Sequence, residues 1–161
     1  MTIKVGDKIP DATLMQMTDK GPVPIKTSDF FKGKKVALFA LPGAFTPTCS
    51  NQHLPGFIQK ADAIKAKGVD AIICLSVNDA FVMGAWGKAQ GADGKVLMMA
   101  DGNAEFTKKL GFDFDGSGFG MGIRSQRYSM LVEDGAVKAI NQEANPGEAK
   151  ISGADNFLSQ L

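Results

Sequence analysis

Two near-continuous apolar runs, set apart by one segment of helical period, constrain this chain more than any other feature. Lys35 to Leu41 (KVALFAL) and Val69 to Val77 (VDAIICLSV) show little polar alternation. Each therefore reads as a strand buried on both faces of a sheet. Between them, Ser50 to Lys67 carries Phe57, Ala61 and Ile64 at helical spacing, Gly68 stands where a helix commonly closes, and Pro55 is placed to kink or restart the helix. Strand, helix and strand in that order predict parallel pairing through a right-handed crossover.

The rest of the chain extends this plan. Asn78 and Asp79 offer N-cap side chains to a helix through Phe81, Met83 and Trp86. Lys95 to Ala100 reads as a third strand and Asn103 to Leu110 as a short helix closed by Gly111. Tyr128 to Val132 and Val137 to Ile140 flank the turn Glu133-Asp134-Gly135-Ala136, the pattern of a hairpin, and Ala154 to Leu161 reads as a closing helix. The expected class is α/β, a central mixed β-sheet flanked by helices. With 161 residues and 44% hydrophobic content, one domain over residues 1–161 is expected.

Charge and leader signals exclude several functions. The 18 basic and 17 acidic side chains nearly cancel and form no basic stripe, so nucleic acid is not an expected partner. Residues 1–7 lack the apolar core of a signal peptide, and no stretch approaches the roughly 20 apolar residues that span a bilayer. No membrane association and a cytoplasmic location are expected. The two cysteines, Cys49 and Cys74, have neither CxxC spacing nor histidine partners suited to zinc, so no disulfide scaffold, metal or organic cofactor is expected.

The segment that carries chemistry is Leu41-Pro42-Gly43-Ala44-Phe45-Thr46-Pro47-Thr48-Cys49-Ser50, which joins the end of a buried strand to the start of a helix. Ligand sites of open α/β sheets favour that place. A cysteine in the first helical turn feels unpaired backbone N–H groups, which favour the nucleophilic thiolate. Thr46 puts a hydroxyl three residues before the sulfur, able to donate to it or to an incoming oxygen, while Pro42 and Pro47 stiffen the loop. A guanidinium would complete such a site. Arg127, at the entrance to the hairpin strand, is the candidate, and Arg124 competes with it.

PGAFTPTC resembles the Pro-x-x-x-Thr-x-x-Cys motif of peroxiredoxins at Pro42, Thr46 and Cys49. With HLPGF, CLSVNDAFVMGAW and RSQRYSMLVEDG, nearly the whole chain is similar to the peroxiredoxin-5 or plant type II subgroup. The resemblance implies a thioredoxin-like fold, often a homodimer, and an antioxidant thiol peroxidase that reduces hydrogen peroxide and organic hydroperoxides. It also implies roles: Cys49 as peroxidatic nucleophile, Thr46 and Arg127 positioning peroxide and stabilising the thiolate, and Pro42 shielding the sulfur. Attack on a hydroperoxide would leave sulfenic acid on Cys49 and release water or alcohol.

What reduces the sulfenic acid is open. Cys74 lies in an apolar strand, where it reads as a buried inert thiol, yet plant type II members carry a resolving cysteine at the matching position. The C-terminal resolving cysteine of the animal type has no counterpart in residues 145–152. That departure favours an external thiol, either glutathione with glutaredoxin or thioredoxin. His53, four residues after Cys49, either touches the site or packs locally, with a structural role favoured. Phe45 and Phe119 read equally as an apolar substrate rim or as loop residues packed on the core or a partner copy. The loop Gly116 to Gly122 lacks the strand-loop-helix context of a phosphate cradle. Competing functions on the same residues are a redox sensor or holdase switched at Cys49, and a thiol-disulfide oxidoreductase, which the absent CxxC disfavours.

Overall fold

An N-terminal hairpin that the apolar pattern does not announce forms one edge of the sheet. The computed structural model describes residues 1–161. Strand β1 (Thr13–Thr18) pairs antiparallel with β2 (Gly21–Lys26), followed by a single turn of helix, α1 (Thr27–Phe30). β2 carries Pro22 and Pro24, which remove ladder donors and suit only an outermost strand. It is the outermost strand.

Strand β3 (Lys35–Ala40), helix α2 (Leu54–Ala66), strand β4 (Ala71–Ser76), helix α3 (Ala80–Gln90) and strand β5 (Leu97–Ala100) follow. β3 pairs parallel with β4, and β4 with β5. Asp79 caps α3 by accepting a bond from the Val82 amide at 2.8 Å, and Gly68 has φ +95° after α2. Helix α4 (Glu105–Leu110) closes at Gly111, φ +79°. Short strands β6 (Asp113–Asp115) and β7 (Ile123–Ser125) then form a separate ribbon, too brief for any sequence period, with the glycine-rich loop between them.

Strands β8 (Tyr128–Glu133) and β9 (Ala136–Gln142) make the expected hairpin. Its two turn residues both have positive φ, Asp134 at 47° and Gly135 at 78°, matching a turn whose twist follows the strands. Helix α5 (Ala154–Ser159) ends the chain. The main sheet has the order β2-β1-β5-β4-β3-β8-β9, so the parallel trio sits between two antiparallel hairpins.

The continuous apolar runs exist because both faces of this centre are covered. Ala37, Phe39 and Leu41 of one run face a core that includes Phe57, Trp86 and Phe157, while Val36, Leu38 and Ala40 face a second core with Phe106, Phe112 and Tyr128. Phe39 and Phe57 stack with centroids 4.0 Å apart. Burying each such ring contributes roughly 1.5–3 kcal/mol, which fixes α2 against the sheet. Ile72 and Cys74 join the first core, and Ile73 and Leu75 the second. Cys49 also belongs to the first core, so both sulfurs lie on one side of the sheet. No helix is long and apolar enough to cross a membrane.

Candidate active site

Beyond β3 the chain turns through Pro42 to Thr46 and enters helical backbone at Pro47. It widens at once into a π turn over Cys49–His53, in which the Leu54 amide reaches the Cys49 carbonyl, before continuing as α2. Pro55 supplies the reason. A proline has no N–H for the carbonyl four residues back and its ring collides with it, a conflict that a wider turn relieves. Cys49 and His53, four apart on this turn, both reach Arg127.

The Pro42–Thr46 loop is held from several elements. Ala44 N donates to Asn78 Oδ1 at 3.0 Å, Arg124 Nη1 to the Pro42 carbonyl at 3.1 Å, and Thr46 Oγ1 to the Gly43 carbonyl at 2.6 Å. These ties hold Phe45 at φ +63°, a conformation that costs a bulky residue on the order of 1–3 kcal/mol. A Cβ at Gly43 would stand 2.6 Å from Arg124 Nη1, so a side chain there would push that guanidinium off the Pro42 carbonyl. The Thr46 proton is thus committed to a carbonyl, and the hydroxyl oxygen is left to accept rather than donate. This differs from the donor role expected of it.

Three donors of Arg127 take three separate acceptors. Nε donates to the Pro146 carbonyl at 2.9 Å, Nη1 lies 3.0 Å from His53 Nδ1, and Nη2 donates to Cys49 Sγ at 3.1 Å. Arg127 is 2% exposed and Cys49 is fully buried, so this charge-assisted contact is weakly screened. Arg124, the competitor, bonds the Met121 and Pro42 carbonyls instead and supports the loop.

The remaining candidates separate. Cys74 is buried mid-strand between β3 and β5, and burial first, then the nearby Cys49, pushes its thiol well above the ordinary range. It stays protonated and weakly nucleophilic. His53 packs locally and meets the site only through Arg127: the ring is 1% exposed, packed on Phe39 and Phe57, with Nε2 3.0 Å from the Ser152 carbonyl. Phe45 lies beside Trp86, 6.4 Å between centroids, and is 59% exposed, while Phe119 projects from the β6–β7 ribbon at 86%. Phe119 is not packed on the core, and Phe45 meets it only at Trp86. The Pro146 and Ser152 carbonyls were beyond sequence reasoning, because every residue has a carbonyl and no side chain marks these two. No group of three or more metal-ligating side chains is brought together.

Comparison with known proteins gives a family and several relatives. The redoxin family matches residues 4–158. The chain is 51% identical to the chloroplastic peroxiredoxin-2E-2 of Oryza sativa subsp. japonica, over 99% of this chain and 73% of that protein. It is 46% identical to peroxiredoxin-2B of Arabidopsis thaliana, over 99% of this chain and 98% of that one. Among solved structures, reduced Prx3 of Vibrio vulnificus in complex with hydrogen peroxide superposes with a TM-score of 0.94 at 53% identity, covering 99% of each chain.

Proposed function

Because the chain belongs to the redoxin family and is a type II peroxiredoxin, a thiol-dependent peroxidase on a thioredoxin-like fold, we propose that Cys49 is the sulfur that reduces its hydroperoxide substrate. The observation that carries this reading is the 3.1 Å contact from Arg127 Nη2 to Cys49 Sγ in a buried site at the start of a helix. The thiolate attacks one peroxide oxygen, and the S–O bond forms as the O–O bond breaks. Sulfenic acid remains on Cys49, and the departing oxygen takes up a proton and leaves as water or an alcohol. Arg127 opposes the charge that spreads along the S–O–O axis. The Thr46 oxygen, its own proton held by Gly43, accepts the peroxide O–H and sets its direction. Pro42, fixed through its carbonyl by Arg124, offers the sulfur no competing N–H.

The oxidised sulfur returns to thiol at the expense of two external thiols, glutathione with glutaredoxin or thioredoxin. The first displaces water to form a mixed disulfide, and the second releases it. Two features support an external route: Cys74 is locked in the middle of the sheet, and burial disfavours its thiolate. Intact mass after one equivalent of peroxide tests both assignments. Wild type and Cys74→Ser should each gain one oxygen, trapped by dimedone on Cys49, and convert to a glutathione adduct when glutathione follows. Loss of two hydrogens that requires Cys74 would replace this route with an internal disulfide, and a label elsewhere than Cys49 would remove the nucleophile assignment.

A second copy of the chain covers the apolar rim beside the site. Phe45, Phe81 and Phe119 are 59%, 66% and 86% exposed. Their segments adjoin, since Asn78 holds Ala44 and Arg124 holds Pro42. An exposed group of large aromatics at one end of a sheet favours burial in a homodimer. Light scattering should give twice the chain mass at micromolar concentration, and Phe119→Glu should shift it towards monomer. A monomeric wild type removes the dimer.

A further inference from the structure

His53 is the one histidine of the sequence, it is 1% exposed, and nothing in the peroxide reaction above uses it. Its ring sits in a closed circuit of hydrogen bonds. Arg127 Nη1 lies 3.0 Å from Nδ1, and the Ser152 carbonyl 3.0 Å from Nε2. A guanidinium has donors only, so Nδ1 must accept, the ring proton must sit on Nε2, and Nε2 donates to Ser152. Ser152 is itself fixed, because its N and Oγ both donate to Glu143 Oε2 at 2.7 Å. The Glu143 amide donates to the Arg127 carbonyl at 2.9 Å, which returns the circuit to its starting residue.

We propose that His53 is a positioning residue for peroxide reduction: as a neutral, Nε2-protonated imidazole held by Ser152 and Glu143, it orients the Arg127 guanidinium so that Nη2 meets the Cys49 sulfur. Arginine has many rotamers, and its fork is set here by one acceptor for each of three nitrogens, at Pro146, His53 and Cys49. Removing the acceptor at Nη1 leaves the guanidinium pivoting on the Pro146 carbonyl. An imidazolium would do the opposite of its neutral form, placing a second cation and a donor against Arg127. Burial first, then the Arg127 charge, lowers the His53 pKa to about 3, so the ring is neutral wherever the enzyme works. The charged or titratable groups facing it are Arg127, Cys49 on its own turn, and Glu143 through Ser152, while the rings of Phe39 and Phe57 on its other sides carry no charge.

This inference rests on the assignment of Cys49 and Arg127 above, and its test separates the two. The imidazole ¹⁵N spectrum of the wild-type enzyme has a single source, and it should show the Nε2–H tautomer without titration between about pH 5 and 8. His53→Phe keeps an aromatic ring and removes the acceptor. It should slow single-turnover oxidation by hydrogen peroxide by about 10–100-fold, the scale of a small misplacement of a reacting group, and lower the rate profile of Cys49 alkylation. His53→Asn, whose Oδ1 stands near the Nδ1 position, should recover most of both. If Arg127→Gln changes neither readout, the role of Arg127 itself fails. If Arg127→Gln slows oxidation and His53→Phe does not, this inference alone fails. It also fails if oxidation slows while the alkylation profile stays, which leaves His53 a packing role only. Should the Phe variant not fold, the wild-type spectrum still decides, because a protonated Nδ1 or a ring that titrates near neutrality overturns the proposal.

Discussion

Cys49→Ser should reduce hydroperoxide at least about 10⁴-fold more slowly than wild type, the scale on which removal of a covalent nucleophile is felt. A serine hydroxyl is not ionised at neutral pH, and its oxygen cannot accept the peroxide oxygen as sulfur does. Serine occupies nearly the same volume among Leu41, Leu54 and Phe57 in the first core, so folding should survive and the loss should be chemical. Cys74 offers no substitute, because its thiol is buried in β4 and held in the protonated form. Stopped-flow consumption of hydrogen peroxide at fixed thiol reductant measures the effect, with thermal unfolding as the folding control. Retention of even one per cent of the wild-type rate with Cys74 present would move the chemistry away from Cys49.

Arg127→Gln should lower kcat/KM for peroxide by about 10²–10³-fold, the effect of removing one donor aimed at developing charge. The guanidinium is the charged partner within hydrogen-bond distance of Sγ, and both side chains are buried. Its loss should also lower the rate profile of Cys49 alkylation, since the sulfur loses the donor held against it. A structural cost accompanies the kinetic one. His53 Nδ1 loses its donor in a buried place, which costs roughly 1–3 kcal/mol, while the Pro146 carbonyl, on an exposed residue, can turn to water. Kinetics and alkylation at several pH values, beside a urea midpoint, separate the two losses. An enzyme of normal kcat/KM and unmoved alkylation profile would take Arg127 out of the reaction.

The two effects differ in how far each could be read from the chain alone. Pro42, Thr46 and Cys49 lie within eight consecutive positions, so their spacing and the strand-to-helix junction place them together without knowledge of the rest of the fold. The parallel centre was legible for a related reason. A strand buried on both faces has no polar positions, and KVALFAL states this directly, with alternate residues going to the two cores. The first hairpin was not legible, because β1 buries little beyond Leu14 and the prolines of β2 mask it as a loop. The β6–β7 ribbon escaped because three residues per strand carry no period.

Arg124 and Arg127 look equivalent in sequence, two basic residues three apart beside the same strand. The choice between them depends on which of the two projects towards the helix start across the sheet, a property of β3–β8 register and of the acceptors at Pro146 and Pro42. The same holds for His53. Its position one turn after Cys49 suggested contact, but whether it met solvent, substrate or Arg127 was decided by the π turn and by the return of residues 143–152 across the site. The sequence by itself determined the candidate nucleophile, the local loop and the α/β class, because these are set by neighbours along the chain. Tertiary structure alone decided which guanidinium meets the sulfur and what holds it there, because those outcomes depend on distance, burial and partners 19 to 78 residues away.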